Sequence, residues 1–291
     1  MQLNRNVKFI GSGIGNCGRV IGCESAPYYL INALAEENDL VDCCMYAYNG
    51  NKHDQKALRN YFIKVASHIS FMLNKNTFPL LIGGDHSCAI GTWSGVGDYL
   101  LSQGEDLGLI WVDAHMDAHR PDTSASGNLH GMPVAHLLGH GYEELISILT
   151  KTPKLKPQNL VYFGIRSYEP EEEAFLQNLG IKVYYQNQLN EKNFAELFSQ
   201  EYTRLSQQVN HIGISLDLDG LSAQEFTAVG TPEEGGVSGE TFLKTLEKLD
   251  FKKLIAFEIA EYNPKLDYDR TSLRFILELV NYLKNRVENE C

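Results

Sequence analysis

Basic residues are in short supply in this chain: 25 Lys and Arg stand against 37 Asp and Glu, a formal net charge of −12 over 291 residues. No cationic run exceeds short pairs such as Lys252-Lys253, so nucleic acid and anionic membrane surfaces are poor partners. A cationic ligand suits the balance better, although most surface charge serves solubility. Long apolar runs are missing too. No stretch approaches the roughly 18 residues of a membrane span. Met1 to Lys8 has neither an apolar core nor a small-residue cleavage site, so a cytoplasmic protein without a signal peptide is expected. Cysteine is sparse: Cys17, Cys23, Cys43, Cys44, Cys88 and Cys291 form no Cys-x-x-Cys pair. Free buried thiols are expected rather than disulfides or structural zinc, with Cys43-Cys44 in the core. Internal repeats, low-complexity tracts and Pro/Ser-rich linkers are absent as well, and a single domain over 1–291 is the expectation.

What is present is alternation. Short apolar runs at Val7–Ile10, Leu40–Ala47, Pro79–Ile82, Gly108–Val112, Leu160–Ile165, Lys182–Tyr185, His211–Leu216 and Leu254–Ile259 read as strands. Several are apolar throughout, as parallel strands covered on both faces must be. Between them, Asp54–Leu73, Met132–Leu149, Phe194–Gln207, Glu240–Lys248 and Ser272–Val287 carry apolar residues at helical spacing, for example Leu58, Phe62, Val65, Ile69 and Leu73. Strand–helix alternation predicts βαβ units: an α/β fold with a parallel sheet and helices on both sides. Sites in such sheets form beyond the carboxyl ends of the strands.

The polar clusters lie where that rule puts them. Leu80-Leu81-Ile82 runs into Gly83-Gly84-Asp85-His86-Ser87, where the glycines permit a sharp turn. Leu109 to Val112 runs into Asp113-Ala114-His115-Met116-Asp117, and on extended backbone those three polar side chains share a face. Unpaired charge so close to an apolar run is unfavourable, which argues for metal ligation over a solvated loop. Ile212 to Leu216 ends in Asp217-Leu218-Asp219, two like charges that a cation would neutralise. Phe257-Glu258-Ile259-Ala260-Glu261 supplies two more acids. Glu258 reads as a salt-bridge partner, and Glu261, further beyond the strand, as the carboxylate for a cationic substrate group. In the loop before Met132, His130 titrates near neutrality and can move protons; the alternative is an ordinary loop histidine. His136 and His140 read as plain helix residues, and Gly11-x-Gly13-x-Gly15 lacks the spacing of a dinucleotide fingerprint.

His86, Asp113, His115, Asp117, Asp217 and Asp219 together offer hard oxygen donors, some nitrogen and no thiolate. That set suits Mn²⁺, with Fe²⁺, Co²⁺ or Ni²⁺ as rivals. Six side chains exceed the needs of one ion that must also bind water, so two metals about 3.5–4 Å apart are expected.

Gly-Gly-Asp-His-Ser (83–87), Asp-Ala-His-Met-Asp (113–117), Ser-Gly-Asn-Leu-His-Gly (126–131), Ser-Leu-Asp-Leu-Asp-Gly (215–220) with Gly-Thr-Pro (230–232), and Glu-Tyr-Asn-Pro (261–264) occur in that order. Together they resemble the arginase/agmatinase/formimidoylglutamase ureohydrolases, closest to the arginase branch. The resemblance implies a three-layer α/β/α fold with an eight-stranded parallel sheet, assembled as trimers or hexamers. It implies one Mn²⁺ on His86, Asp113, Asp117 and Asp217 and another on Asp113, His115, Asp217 and Asp219, with a bridging hydroxide as nucleophile. Glu261 would orient the guanidinium, Asp117 stabilise the tetrahedral species, and His130 shuttle a proton to the leaving amine. Ser126 and Asn128 would contact a substrate carboxylate. The implied reaction is hydrolysis of L-arginine to L-ornithine and urea; another ureohydrolase activity, or non-catalytic binding of metal or a guanidino ligand, are the alternatives. Two positions depart from the arginase pattern: His119 replaces an asparagine, and Glu169 replaces an aspartate near the substrate's α-amino group. Both bear on specificity rather than on the bond-breaking chemistry.

Overall fold

The computed structural model describes residues 5–37 and 42–290. Eight parallel strands, β1 (Asn6–Gly13), β2 (Cys43–Ala47), β3 (Thr77–Gly83), β4 (Leu107–Val112), β5 (Leu160–Ile165), β6 (Lys182–Tyr185), β7 (His211–Asp217) and β8 (Leu254–Ala260), form one sheet in the order β2-β1-β3-β8-β7-β4-β5-β6. Each strand expected from the sequence is there; Leu40 and Val41, at the start of the second, lie outside the described residues.

Alternate residues of each inner strand enter different cores. In β4, Ile110 and Val112 join one and Leu109 and Trp111 the other; in β5, Val161 and Phe163 face Leu160 and Tyr162 across the sheet. Both faces being buried, alternation in direction leaves no alternation in polarity, which is why these runs are apolar throughout. The first core is covered by α1 (Ala26–Glu37), α7 (Phe194–Gln208), α8 (Gly239–Leu246) and α9 (Thr271–Glu290). The second is covered by α2 (Gln55–Asn74), α3 (Cys88–Ser102), α4 (Pro133–Leu137), α5 (Glu143–Ile146) and α6 (Pro170–Asn178). The result is the expected three-layer α/β/α arrangement. None of the described helices is long and apolar enough to cross a membrane.

α2 shows how sequence becomes packing. Asp54 lies just outside it as the N-cap, accepting the Ala57 N–H, and Leu58, Phe62, Val65, Ile69 and Leu73 are all buried. Each such side chain contributes about 1.5–3 kcal/mol of transfer free energy. α1, α3 and α6 escape the periodicity argument. α3 is buried on nearly every side, so it has no polar stripe, and its glycines are packing devices: a Cβ on Gly95 would come within 2.5 Å of the Ala66 carbonyl oxygen in α2.

Two expectations fail. Met132–Leu149 is not one helix but α4 and α5 with a break at Gly139, whose φ is +86. His136 makes the break: its Nδ1 donates to the Met132 carbonyl at 2.8 Å and its Nε2 accepts the Tyr142 N–H at 3.1 Å, so the imidazole replaces the missing helical bonds. The buried Lys154 ammonium then donates to the carbonyls of Ile146, Thr150 and Thr152. Cys43-Cys44 is not core either. β2 is an edge strand that pairs only with β1, and Cys44 is exposed with Cys43 half-buried. Cys17, Cys23 and Cys88 are buried free thiols as expected, and Cys291 lies outside the described residues.

Burial pushes His136 down from 6.5 to about 4. A histidine that must stay neutral stabilises the fold fully above its unfolded pKa and loses that contribution as pH falls from 6.5 toward 4. Going from pH 7 to pH 5 therefore costs about 2 kcal/mol through this one group. Urea melts of the protein and of His136→Gln at both pH values check it: the variant is less stable at pH 7 but loses less on acidification, and equal losses would contradict the assignment.

Candidate metal centre

Four neighbouring strands in the middle of the sheet, β3, β8, β7 and β4, bring their carboxyl ends to one place. After β3 the chain crosses Ile14 so closely that a Cβ on Gly84 would lie 1.8 Å from the Ile14 carbonyl oxygen; the requirement is close approach rather than unusual φ. Of the two residues presented there, only His86 enters the site. Asp85 is turned away, its Oδ2 accepting the Cys17 N–H at 2.8 Å and its Oδ1 the Ser87 N–H at 3.1 Å.

Simple strand alternation does not carry the 113–117 cluster, because β4 ends at Val112 and Asp117 sits at φ +48. A left-handed residue turns Asp117 back to the side Asp113 faces. Asp217 is the last residue of β7, and a single helical turn, Leu218–Gly220, swings Asp219 round while its N–H bonds to Asp217 Oδ1 at 2.9 Å. Arg166 fastens this turn, donating to the carbonyls of Gly164, Asp219, Gly220, Leu221 and Glu233.

His86 Nδ1 is the focus. It lies 3.2 Å from Asp113 Oδ2, 3.1 Å from Asp117 Oδ2 and 3.0 Å from Asp217 Oδ2, and it is a buried atom without a hydrogen-bond partner. The other ring nitrogen explains why. Ser215 Oγ donates to Glu258 Oε1 at 2.7 Å, an oxygen that also accepts the Trp93 Nε1–H at 3.1 Å and so carries no proton of its own. Ser215 Oγ must then accept from His86 Nε2, 3.0 Å away. With Nε2 committed to Ser215, Nδ1 is the ring atom aimed among three carboxylates, and the one whose lone pair a metal ion would take. Trp111 stacks on the imidazole at 4.2 Å between ring centroids and donates its N–H to Asp113 Oδ2 at 2.8 Å.

A second donor group adjoins the first. His115 Nδ1 lies 3.2 Å from Asp219 Oδ2 and 3.6 Å from Asp113 Oδ1. Asp113 thus offers one oxygen to each group, as a bridging carboxylate does, whereas Asp217 turns Oδ2 to the first group and Oδ1 to the Asp219 amide. All six residues singled out from the sequence are brought together. Their electrostatics are those of a site short of positive charge. Burial and the neighbouring Asp219 and Asp113 hold the Asp217 carboxyl well above its usual range. Burial and Asp113 push Asp117 up to about 6. Burial opposes it, yet the surrounding carboxylates hold His86 and His115 well above the ordinary histidine value.

The centre floors a cleft of about 250 Å³. His130 and Glu261 stand at one side: Glu261 Oε1 accepts the His86 N–H at 2.9 Å and meets His130 Nδ1 at 3.2 Å. Against the cost of burial, Glu261 lifts His130 to about 9, and His130 in turn lowers Glu261. Glu261 is itself left-handed, at φ +64. Glu258 lies under His86, its Oε1 3.8 Å from the ring Nε2 as the expected ion-pair partner, and it also contacts Ser215, Trp93 and Cys88.

The lining of the cleft is mixed in character. Arg19, Ser124, Ser126 and Asn128 are part of it. Ser124 Oγ accepts the Gly127 N–H at 3.1 Å and Ser126 Oγ the Asn128 N–H at 3.2 Å, so both hydroxyl protons stay available to a ligand. Glu169, Glu172 and Glu233 line the same cleft. His119 Nε2 lies 3.0 Å from Glu169 Oε2 and 3.5 Å from Glu172 Oε2, so the two positions that depart from the arginase pattern face each other. Ser124, Arg19, Glu172, Glu233 and Ser215 are not singled out by the sequence, which points to Glu258 without its partner Ser215. The serine in Ser-Leu-Asp-Leu-Asp and the second acid after Glu169 were the signals on hand.

A parallel sheet covered on both faces, with a His/Asp centre at the carboxyl ends of its middle strands, defines an α/β fold of the ureohydrolase kind. The family model described as "Arginase: Arginase family" matches residues 7–283. Arginase of Bacillus subtilis (strain 168) is 37% identical over 221 residues, 76% of this chain and 73% of that one. The solved structure of arginase from Bacillus subtilis aligns with a TM-score of 0.85 at 30% identity, covering 96% of this chain and 98% of the other. Entamoeba histolytica arginase, solved in complex with L-ornithine, aligns with a TM-score of 0.84 at 27% identity, covering 98% and 99%. This chain belongs to the arginase family, and so to a family of hydrolases.

Crowded carboxylates cost the metal-free fold. Asp217→Asn is expected to raise stability in chelator by about 1 kcal/mol, within the usual range for a single change. Guanidinium melts in EDTA test this, and a lower midpoint would mean that the negative charge is already compensated inside the protein.

Proposed function

We propose that the protein hydrolyses a guanidino acid, L-arginine foremost, to the corresponding amine and urea, with two Mn²⁺ ions at the centre. The mixed lining of the cleft supports this reading most directly. Hydroxyl and amide donors in the same cleft as a group of acids match a tail bearing both a carboxylate and an ammonium group, beside a centre built for a cationic carbon. Agmatine lacks the carboxylate, and a formimidoyl substrate lacks the ammonium.

His86 Nδ1, orphaned among three carboxylates, fits a metal ion better than it fits any protein donor. His86, Asp113, Asp117 and Asp217 would hold one ion, and Asp113, His115, Asp217 and Asp219 the other. Bound there, divalent metal supplies Lewis acidity that brings the pKa of water toward neutrality. The rest falls to the chain. Glu261 has committed Oε1 to His86 and His130, which leaves Oε2 to accept a guanidinium N–H and fix the carbon's position, the step in which orientation contributes most. Asp117 faces the carbon as it becomes tetrahedral. His130, protonated at neutral pH through its pairing with Glu261, donates its proton to the departing amine nitrogen as the C–N bond breaks. Ser126, Asn128 and Ser124 hold the carboxylate; Glu169, Glu172 and His119 face the amino group.

Urea release from Mn²⁺-loaded protein, measured with L-arginine, agmatine and 4-guanidinobutyrate, and formamide release from formimidoylglutamate, form the decisive screen. L-Arginine is expected to lead in kcat/KM; equal or faster turnover of any other compound overturns the assignment. Replacing the proton donor, His130→Asn, is expected to lower kcat about 100-fold with KM little changed. Ser215→Ala frees the His86 ring from its tautomer and is expected to weaken Mn²⁺ binding about 10–100-fold by calorimetry; an unchanged affinity would detach Ser215 from the centre.

A further inference from the structure

We propose that Lys52 is a positioning residue for the substrate carboxylate: it holds the Asn128 amide so that its two N–H donors face the cleft, and it brings an uncompensated positive charge to that end of the site. The inference rests on the guanidino-acid reading above and deepens it, by assigning a specificity role to a residue outside every motif of the chain.

Lys52 Nζ lies 3.0 Å from Asn128 Oδ1. An ammonium only donates, so it is the oxygen end of the carboxamide that faces Lys52, and the Nδ2 end is turned the other way. The orientation of an asparagine is thereby fixed by chemistry rather than by a choice between look-alike atoms. Nδ2 has no hydrogen-bond partner among the described residues, while Asn128 lines the cleft. Together with the hydroxyls of Ser124 and Ser126, whose oxygens already accept backbone N–H groups, it completes a wall whose acceptors are consumed by the protein and whose donors are left for a ligand. A carboxylate answers such a wall; an ammonium or a methyl group does not.

Lys52 also brings charge. It is half-buried, and it forms no ion pair among the described residues. Its loop, between β2 and α2, is held at several points: Asn16 Nδ2 donates to the Gly50 carbonyl at 2.7 Å, the Tyr48 hydroxyl to the Asn51 carbonyl at 2.8 Å, and Asp54 caps α2. A lysine so placed presents its ammonium at a set position instead of sweeping through solvent, so the entropy of fixing it is largely met before ligand arrives.

The test compares ligands that differ only in the carboxylate, on the Mn²⁺-loaded protein and its Lys52→Met and Lys52→Arg variants. In Lys52→Met, KM for L-arginine and the dissociation constant of L-ornithine by calorimetry are expected to rise roughly tenfold, the loss typical of a charge-assisted hydrogen bond. kcat should stay within about twofold, the constants for agmatine and 1,4-diaminobutane should not move, and Lys52→Arg should recover most of the loss. Lys52→Met should cost less in an Asn128→Ala background than in the parent, since part of the lysine's effect runs through that amide. Parallel losses with and without the carboxylate, or unchanged L-ornithine binding, overturn the proposal. So does a parent protein that binds L-ornithine no more tightly than 1,4-diaminobutane. A parent that releases no urea from any guanidino compound sinks the functional reading instead, and the calorimetric comparison still decides the role of Lys52.

Discussion

Repulsion among buried carboxylates is the constraint around which this structure is arranged. Asp113, Asp117, Asp217 and Asp219 are all buried, and three of them point an oxygen at one imidazole nitrogen. Such a group would scatter unless held. The holding is done by hydrogen bonds to side chains and backbone: Trp111 on Asp113, the Asp219 amide on Asp217, Arg166 on the carbonyls of the 218–221 turn, and Ser215 with Glu258 behind His86. Two left-handed residues, Asp117 and Glu261, are part of the same cost, of the order of 1–3 kcal/mol each. Strain of that kind persists only where surrounding structure over-determines it, and here the sheet does so from four adjacent strands.

The sheet order makes this possible. The chain builds β3 and β4 early and returns with β7 and β8 late, inserting them side by side between the earlier pair. Residues more than a hundred positions apart thereby become neighbours at one edge. The loops after β4 and β5 reach over this edge and, with Arg19, Thr231 and Glu233, line the cleft. The His/Asp centre is thus seated on strand ends with rigid backing, whereas much of the remaining cleft lining is carried by loops, the division expected when one kind of centre serves varied ligands.

This division also explains what the sequence made legible. The strands were readable because burial on both faces leaves unbroken apolar runs, and the metal-type residues because each cluster follows such a run directly. α3 was not, since a helix buried all round carries no stripe, and Met132–Leu149 was misread because His136, an acceptable helix residue by spacing, spends both nitrogens on closing a break. Cys43-Cys44 looks like core in one dimension and is an edge in three. Within the site, the reason for convergence was only partly right: Asp113 and Asp117 meet through a left-handed turn, not through extended alternation. The Ser215–Glu258 support of His86 was beyond reach, because nothing in a one-dimensional reading says that β7 and β8 are neighbours, with Ser215 paired to Glu258 across them.

His119 and Glu169 sharpen the point. Both depart from the arginase pattern, and considered singly each weakens the case for an amino-acid substrate. In the structure they meet each other, 3.0 Å apart at the mouth, with Glu172 beside them and the centre below untouched. A longer acid and an imidazole in place of a shorter acid and an amide keep acceptors at that part of the cleft while filling more of it. Changes confined there leave the His/Asp centre itself as it is. Ser124, Ser126 and Asn128, in the same cleft, show no such departure. Any ligand of this cleft meets hydroxyl and amide donors together with a group of acids in one space of about 250 Å³, so the acids and the donors select it jointly rather than singly.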